Sequence, residues 1–272
     1  MIKALLITFL TATLAHAQGY DARTADYLRA LRIGAAGGGW PNNQFDLSDA
    51  LADGVIAYYR MEDDTYDEVS STTGTLVGTG TTFVDSPFGS RALRAGQANG
   101  NYMLTAEDTG YVSTETNDGY TFMLWVRLDG SLISSGSPLS FRDPSSQPSS
   151  FFYYRNTSDN ISVLVSSGIG SGTAAAVGST NAPPVVGEWR HLAATYTHGT
   201  DRRVRLYENG ELSSTSGQKS TAQINQPVAW AVGVDLFSES RRWDGTFDEV
   251  IIFDKPLSGD DIRAIYENYS AP

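Results

Sequence analysis

The apolar and polar positions change rhythm along the chain. Residues 21–33, DARTADYLRALRI, space Tyr27, Leu28 and Leu31 onto one face and turn Arg29 and Arg32 elsewhere. That spacing predicts a short amphipathic helix. Gly34 stops it, and Gly37-Gly38-Gly39 is a flexible break. A helix this short is not stable alone, so it must dock, either on its own chain or on a neighbour. From Gly54 onward the period is two. Residues 55–61, 120–128, 189–197, 203–207, 228–234 and 246–253 read as strands. In YTFMLWVRL (120–128) both alternating rows are largely apolar, which predicts a central strand covered on both faces.

Local signals punctuate these strands. Glu208-Asn209-Gly210-Glu211 sits between two strand patterns, and Asn-Gly is the strongest short hairpin signal. Ser258 with Asp261 three residues on is a capping-box arrangement. It opens a final helix whose apolar face is Ile262, Ile265, Tyr266 and Tyr269. Residues 134–150 carry Pro138, Pro144 and Pro148, so they are expected to be a loop or a broken edge. Residues 166–181 show no strong periodicity. The expected fold class is all-β, a two-sheet antiparallel sandwich with a short helix near each end.

Composition narrows the setting. Apolar residues make up 40 % and charged residues 18 % of the 272 positions, enough for a real core and unlike a disordered chain. There is no cysteine, which excludes disulfides and thiolate metal sites. The net charge of −12 repels phosphate backbones and anionic lipid heads, so nucleic acid is not an expected partner. Met1-Ile2-Lys3, the apolar run Ala4–Leu14 and Ala15-His16-Ala17 together read as an export signal cleaved before Gln18. The run is too short to span a bilayer, and a buried amino-terminal helix is the alternative. The expected organisation is 1–17 signal peptide, 18–50 helical appendage and Gly-rich linker, and 51–272 sandwich.

Several phrases, in register, resemble one family. They are GVIAYYRMEDD with DEVSSTTGTL, YTFMLWVRL, GEWRHLAATYTHG, RVRLYENGEL and DGTFDEVIIFDKPLSGDDIRAIY. Together they span about residues 54–269 and resemble laminin-G-like, concanavalin A-like jelly rolls. The resemblance implies two antiparallel sheets packed face to face and, in many members, a calcium ion near the rim. It implies recognition of sugars, proteins or lipids rather than one activity. Asp67 falls on the family's opening-loop aspartate and Asp248 on its "DEv" aspartate. With Glu62 they are the expected ligands of a structural Ca²⁺, a cation that takes six to eight oxygen donors.

Other chemistry is weaker in the sequence. Glu62, Asp64 and Asp67 approach an E-x-D-x-x-E run, but a loop this acidic is the wrong setting for a glycosidase pair, which needs one carboxylate in an apolar pocket. His191 lies in a strand phrase, where packing explains it, and no G-x-S-x-G elbow occurs. No catalytic residue is assigned. Four aromatics are candidate ligand-stacking residues: Phe152 and Tyr154 in the run 151–154, together with Trp40 and Trp243. The functional expectation is an exported, non-catalytic recognition or adhesion module, outside the cytoplasm, that takes carbohydrate or a protein surface. The rival readings are an assembly subunit of an appendage, filament or virion, and a carbohydrate-active enzyme.

Overall fold

The computed structural model describes residues 43–96, 100–105, 118–130, 135–142, 149–155, 160–166, 174–179, 181–218, 230–236 and 238–269. Residues 1–39 lie outside the described residues, and so does the helix expected at 21–33. The described chain builds eighteen strands. They are β1 (Val55–Tyr59), β2 (Thr75–Val77), β3 (Thr82–Asp85), β4 (Arg91–Ala95), β5 (Tyr102–Leu104) and β6 (Gly119–Leu128). Next come β7 (Ser135–Gly136), β8 (Leu139–Arg142), β9 (Ser149–Arg155), β10 (Asn160–Ser166), β11 (Ala174–Gly178) and β12 (Trp189–Thr197). The last six are β13 (Val204–Glu208), β14 (Glu211–Thr215), β15 (Trp230–Val232), β16 (Val234–Asp235), β17 (Ser238–Arg242) and β18 (Gly245–Phe253), followed by one helix, α1 (Gly259–Asn268).

The strands form two large antiparallel sheets. The first runs β14-β13-β12-β6-β18-β4-β3, with β1 also paired to β18. The second runs β11-β10-β9-β8-β15-β5-β2, with β7 beside β9. A small hairpin, β16–β17, completes the set. This is the expected sandwich. Each strongly alternating segment became a strand of the first sheet or, at 230–232, of the second. Asn209 and Gly210 both have positive φ, 50° and 78°, and close the two-residue β13–β14 turn. Residues 134–150 correct one expectation. They hold β7, β8 and the start of β9, and β8 is an interior strand between β15 and β9. Pro138 falls just before β8, where it takes no ladder bond from the strand.

Burial divides into three layers. Between the sheets lie Phe122, Leu124, Val126, Leu139, Phe141, Phe152, Val163, Leu192, Trp230, Trp243 and Phe247, among others. Outside the first sheet a second cluster joins Met123, Trp125, Phe45, Leu51, Phe88, Ile262, Ile265 and Tyr269. Thus β6 is apolar on both faces because both are covered. α1 and residues 45–51 lie over the first sheet, so this part of the expected linker belongs to the sandwich. Ser258 caps α1, and its hydroxyl and Asp261 satisfy each other's backbone. A third, small cluster of Tyr102, Ala231 and Val234 lies outside the second sheet, beside β16–β17.

Phe122 meets Phe152 at 4.9 Å and Trp230 at 5.4 Å between ring centres, so it joins the two sheets. Phe122→Ala is expected to lower unfolding free energy by about 3–5 kcal/mol. Urea denaturation checks this, and a loss below about 1 kcal/mol would show that the rings are not packed as described.

Candidate functional site

The carboxylates singled out by the sequence converge on one rim, where β18 changes partner. Its first residues pair with β4 and its last with β1, on the same edge. Against β6, Asp248 stands opposite Trp125 and Ile251 opposite Met123, which leaves one extra residue on β18. This is a β-bulge, and Glu249 takes φ 49° within it. The bulge breaks the alternation, so the adjacent Asp248 and Glu249 are both buried.

Glu249 is the centre of the buried network. Its carboxylate accepts from the Phe45 backbone N–H at 2.7 Å, from the Tyr58 hydroxyl at 2.8 Å and from the Tyr269 hydroxyl at 2.8 Å. Asp248 accepts from the Ser86 hydroxyl and from the Glu249 N–H at 2.9 Å. Asp67 accepts from the N–H groups of Tyr58 at 2.9 Å and Val69 at 3.0 Å, and from the Ser70 hydroxyl at 2.6 Å. Glu62 accepts from Gln44 at 2.9 Å, from the Ser90 N–H at 2.8 Å, from the Ser90 hydroxyl and from the Arg91 N–H at 3.3 Å. Each of these carboxylates is spent on loop or strand donors. Among the described residues no group of three or more His, Cys, Asp or Glu side chains is placed to hold a metal ion. Among the described residues the expected ligands Asp67, Asp248 and Glu62 are thus not gathered into one set, and their oxygens accept from donors of the chain.

The titration of this rim follows from burial. Desolvation raises Glu249 to about 7, against the hydrogen bonds from Phe45, Tyr58 and Tyr269 and the charge of Arg60. Asp248 is raised well above the ordinary range by burial and then by the charges of Glu249 and Glu62. His191 goes the other way. Burial alone lowers it to about 3, and its ring lies among Trp125, Tyr266 and Tyr269. It is a neutral core histidine.

The aromatic candidates are corrected by the same geometry. Phe152 is fully buried, because it pairs in register with core Val163. Trp243 is fully buried in the same cluster, and its ring N–H points at the Arg127 carbonyl, 3.3 Å away. Neither offers a ring face to a ligand. Tyr154 pairs with Ile161 along the backbone, but its side chain lies outside the described residues, as does Trp40. The sequence reading passed over Glu249 and its two tyrosines. The available signal was a pair of carboxylates inside the otherwise apolar strand TFDEVIIF, which announces a bulge.

Two measurements test the rim. Glu249 is protonated more readily folded than unfolded, so its contribution is full below its ordinary value near 4.5 and is lost as pH rises through about 7. His191 has the opposite sign, and its contribution is lost as pH falls below 6.5. Differences between variants separate the two. Glu249→Gln should gain on the parent by about 2–3 kcal/mol between about pH 5 and about pH 7.5 in urea unfolding. A constant difference would remove the assignment. The melting temperature should also be the same, within about 1 °C, in millimolar calcium and in chelator, because an ion that binds only the folded chain would raise it.

Comparison with known proteins fits this architecture. No curated protein matches the chain. Among solved structures, the binding domain of Paraclostridial Mosquitocidal Protein 1 matches with TM-score 0.64 at 14 % identity, over 80 % of this chain and 53 % of that one. The Botulinum neurotoxin serotype G binding domain matches with TM-score 0.59 at 13 % identity, over 78 % and 50 %. The chain thus spans about half the length of these toxin binding domains. Domain 4 of AbnA, a GH43 extracellular arabinanase from Geobacillus stearothermophilus, solved with arabinotriose, matches with TM-score 0.55 at 17 % identity, over 78 % of this chain and 98 % of that one. At these identities the likeness is one of fold. The profile described as the concanavalin A-like lectin/glucanases superfamily (Laminin_G_3) matches residues 96–263, more than half of the sequence. By that match, and by the two facing sheets, the chain belongs to the laminin-G-like branch of the concanavalin A-like lectin/glucanase superfamily.

Proposed function

We propose that this protein is an exported, non-catalytic recognition module whose ligand is carbohydrate. One observation carries the reading: the carboxylates are committed to the fold. A glycosidase needs two carboxyl groups facing an open cleft, one of them with a raised pKa. Here the raised pair, Asp248 and Glu249, is fully buried under the rim and saturated by protein donors. Both carboxylates are engaged by donors of the fold rather than left for acid–base work on a sugar. Domain 4 of the arabinanase, whose whole length this sandwich matches, was solved with arabinotriose, which supports a sugar as the class of ligand. Export rests on the Ala15-His16-Ala17 site, and no helix among the described residues is long and apolar enough to cross a membrane.

Native electrophoresis through gels containing arabinan, xylan, galactan or glucan tests the proposal. The protein, isolated with Gln18 as its first residue, is expected to be retarded by at least one of them without releasing reducing ends. Unchanged migration in all four gels would remove the carbohydrate reading, and release of reducing ends would replace it with an enzyme.

A further inference from the structure

We infer a second, unassigned feature, which rests on the carbohydrate reading: the Asn101 side-chain amide, beneath the β2–β3 turn, is a hydroxyl-binding subsite for a neutral sugar. Asn101 lies just before β5, at the end of the second sheet farthest from β11. Its side chain is 1 % exposed, and neither its carbonyl oxygen nor its amide nitrogen has a hydrogen-bond partner. Thr81, in the adjoining turn, likewise has a buried hydroxyl without a partner. A buried amide left unpaired costs stability that an apolar side chain of the same shape would not. Native chains retain few such groups, and each calls for a reason.

The surroundings supply one. Gly78, at φ 89°, lies against the amide, and a Cβ there would stand 2.5 Å from the Asn101 oxygen. Glycine backbone, with no side chain of its own, therefore packs on this side of the amide. Gly80, at φ 110°, continues the same turn, so two residues free of side-chain strain can let it shift. Beside it, Arg242 lies over the Tyr102 ring at 5.9 Å and pairs with the exposed carboxylate of Glu239 at 2.7 Å. A Cβ on Gly100 would meet the Arg242 guanidinium at 3.6 Å, which joins the two parts of the patch. The amide offers N–H donors and a carbonyl acceptor side by side, which suits two neighbouring hydroxyls. Thr81, in the same β2–β3 turn, has its own unpartnered hydroxyl, and the Glu239–Arg242 pair offers both an acceptor and donors at the surface. The pair is neutral overall, which favours an uncharged sugar over an anionic one.

The test uses Asn101→Leu and Thr81→Val in the arabinan, xylan, galactan and glucan gels. Asn101→Leu is expected to melt at or above the parent temperature, because the unpaired amide is gone, and to lose about tenfold or more in affinity. Thr81→Val should fold normally and bind more weakly than the parent. Parental binding by Asn101→Leu would overturn the subsite while leaving the module a sugar binder. A lower melting temperature for Asn101→Leu would show that the amide serves the fold, and would also overturn it. A parent that binds none of the four polysaccharides would take down the functional reading and this inference together.

Discussion

A single buried carboxylate holds the two ends of the sandwich domain to its centre. Glu249 sits in the bulge of β18 and receives the Phe45 backbone from the amino-terminal segment, Tyr58 from β1 and Tyr269 from the end of α1. These three donors come from parts of the chain up to about two hundred residues apart. Apolar packing alone would hold the same segments without fixing their register. Three hydrogen bonds converging on one buried carboxyl group are directional, so they select one arrangement. The cost is desolvation, visible in the upward push on both Glu249 and Asp248.

That arrangement makes the first sheet double-sided. Its inner face meets the second sheet, and its outer face is closed by α1, Phe45, Leu51 and Phe88. Trp125 illustrates the result: it stacks on Phe88 at 4.2 Å and on Tyr266 at 5.6 Å, far from the inter-sheet core. The second sheet is treated differently. Among the described residues a small cluster lies on its outer side, next to β16 and β17. The Glu239–Arg242 pair belongs to the β16–β17 hairpin beside that cluster.

The sequence disclosed the fold well where periodicity was strong. YTFMLWVRL became β6, Asn209-Gly210 became a hairpin turn, and Ser258 with Asp261 became a working cap, because each signal is local. It disclosed the second sheet poorly. β8 (LSFR) has only four residues, β11 (AAAVG) has little contrast between alternate positions, and the place of both in the sheet is decided by neighbours distant in sequence. The site residues show the same division. Motif singled out Asp67 and Asp248, and the crowding of acids singled out Glu62, but neither signal says which donors reach an oxygen first. Phe152 was misjudged because a run of aromatics gives no phase until its partner strand is known, and Trp243 because a lone aromatic between polar neighbours gives no sign of the core it enters. Asn101 carried no signal at all, since its peculiarity is the absence of partners in three dimensions.

The bordering strands of the two sheets carry one more implication. β2, β3, β11 and β14 have three, four, five and five residues, and β3 and β14 each carry an exposed carboxylate, Asp85 and Glu211. Short, charged borders are poor templates for another molecule's backbone. In a chain with pI near 4.6 they also repel like copies at neutral pH, so the protein is guarded against cross-molecular ribbon growth without any cysteine staple.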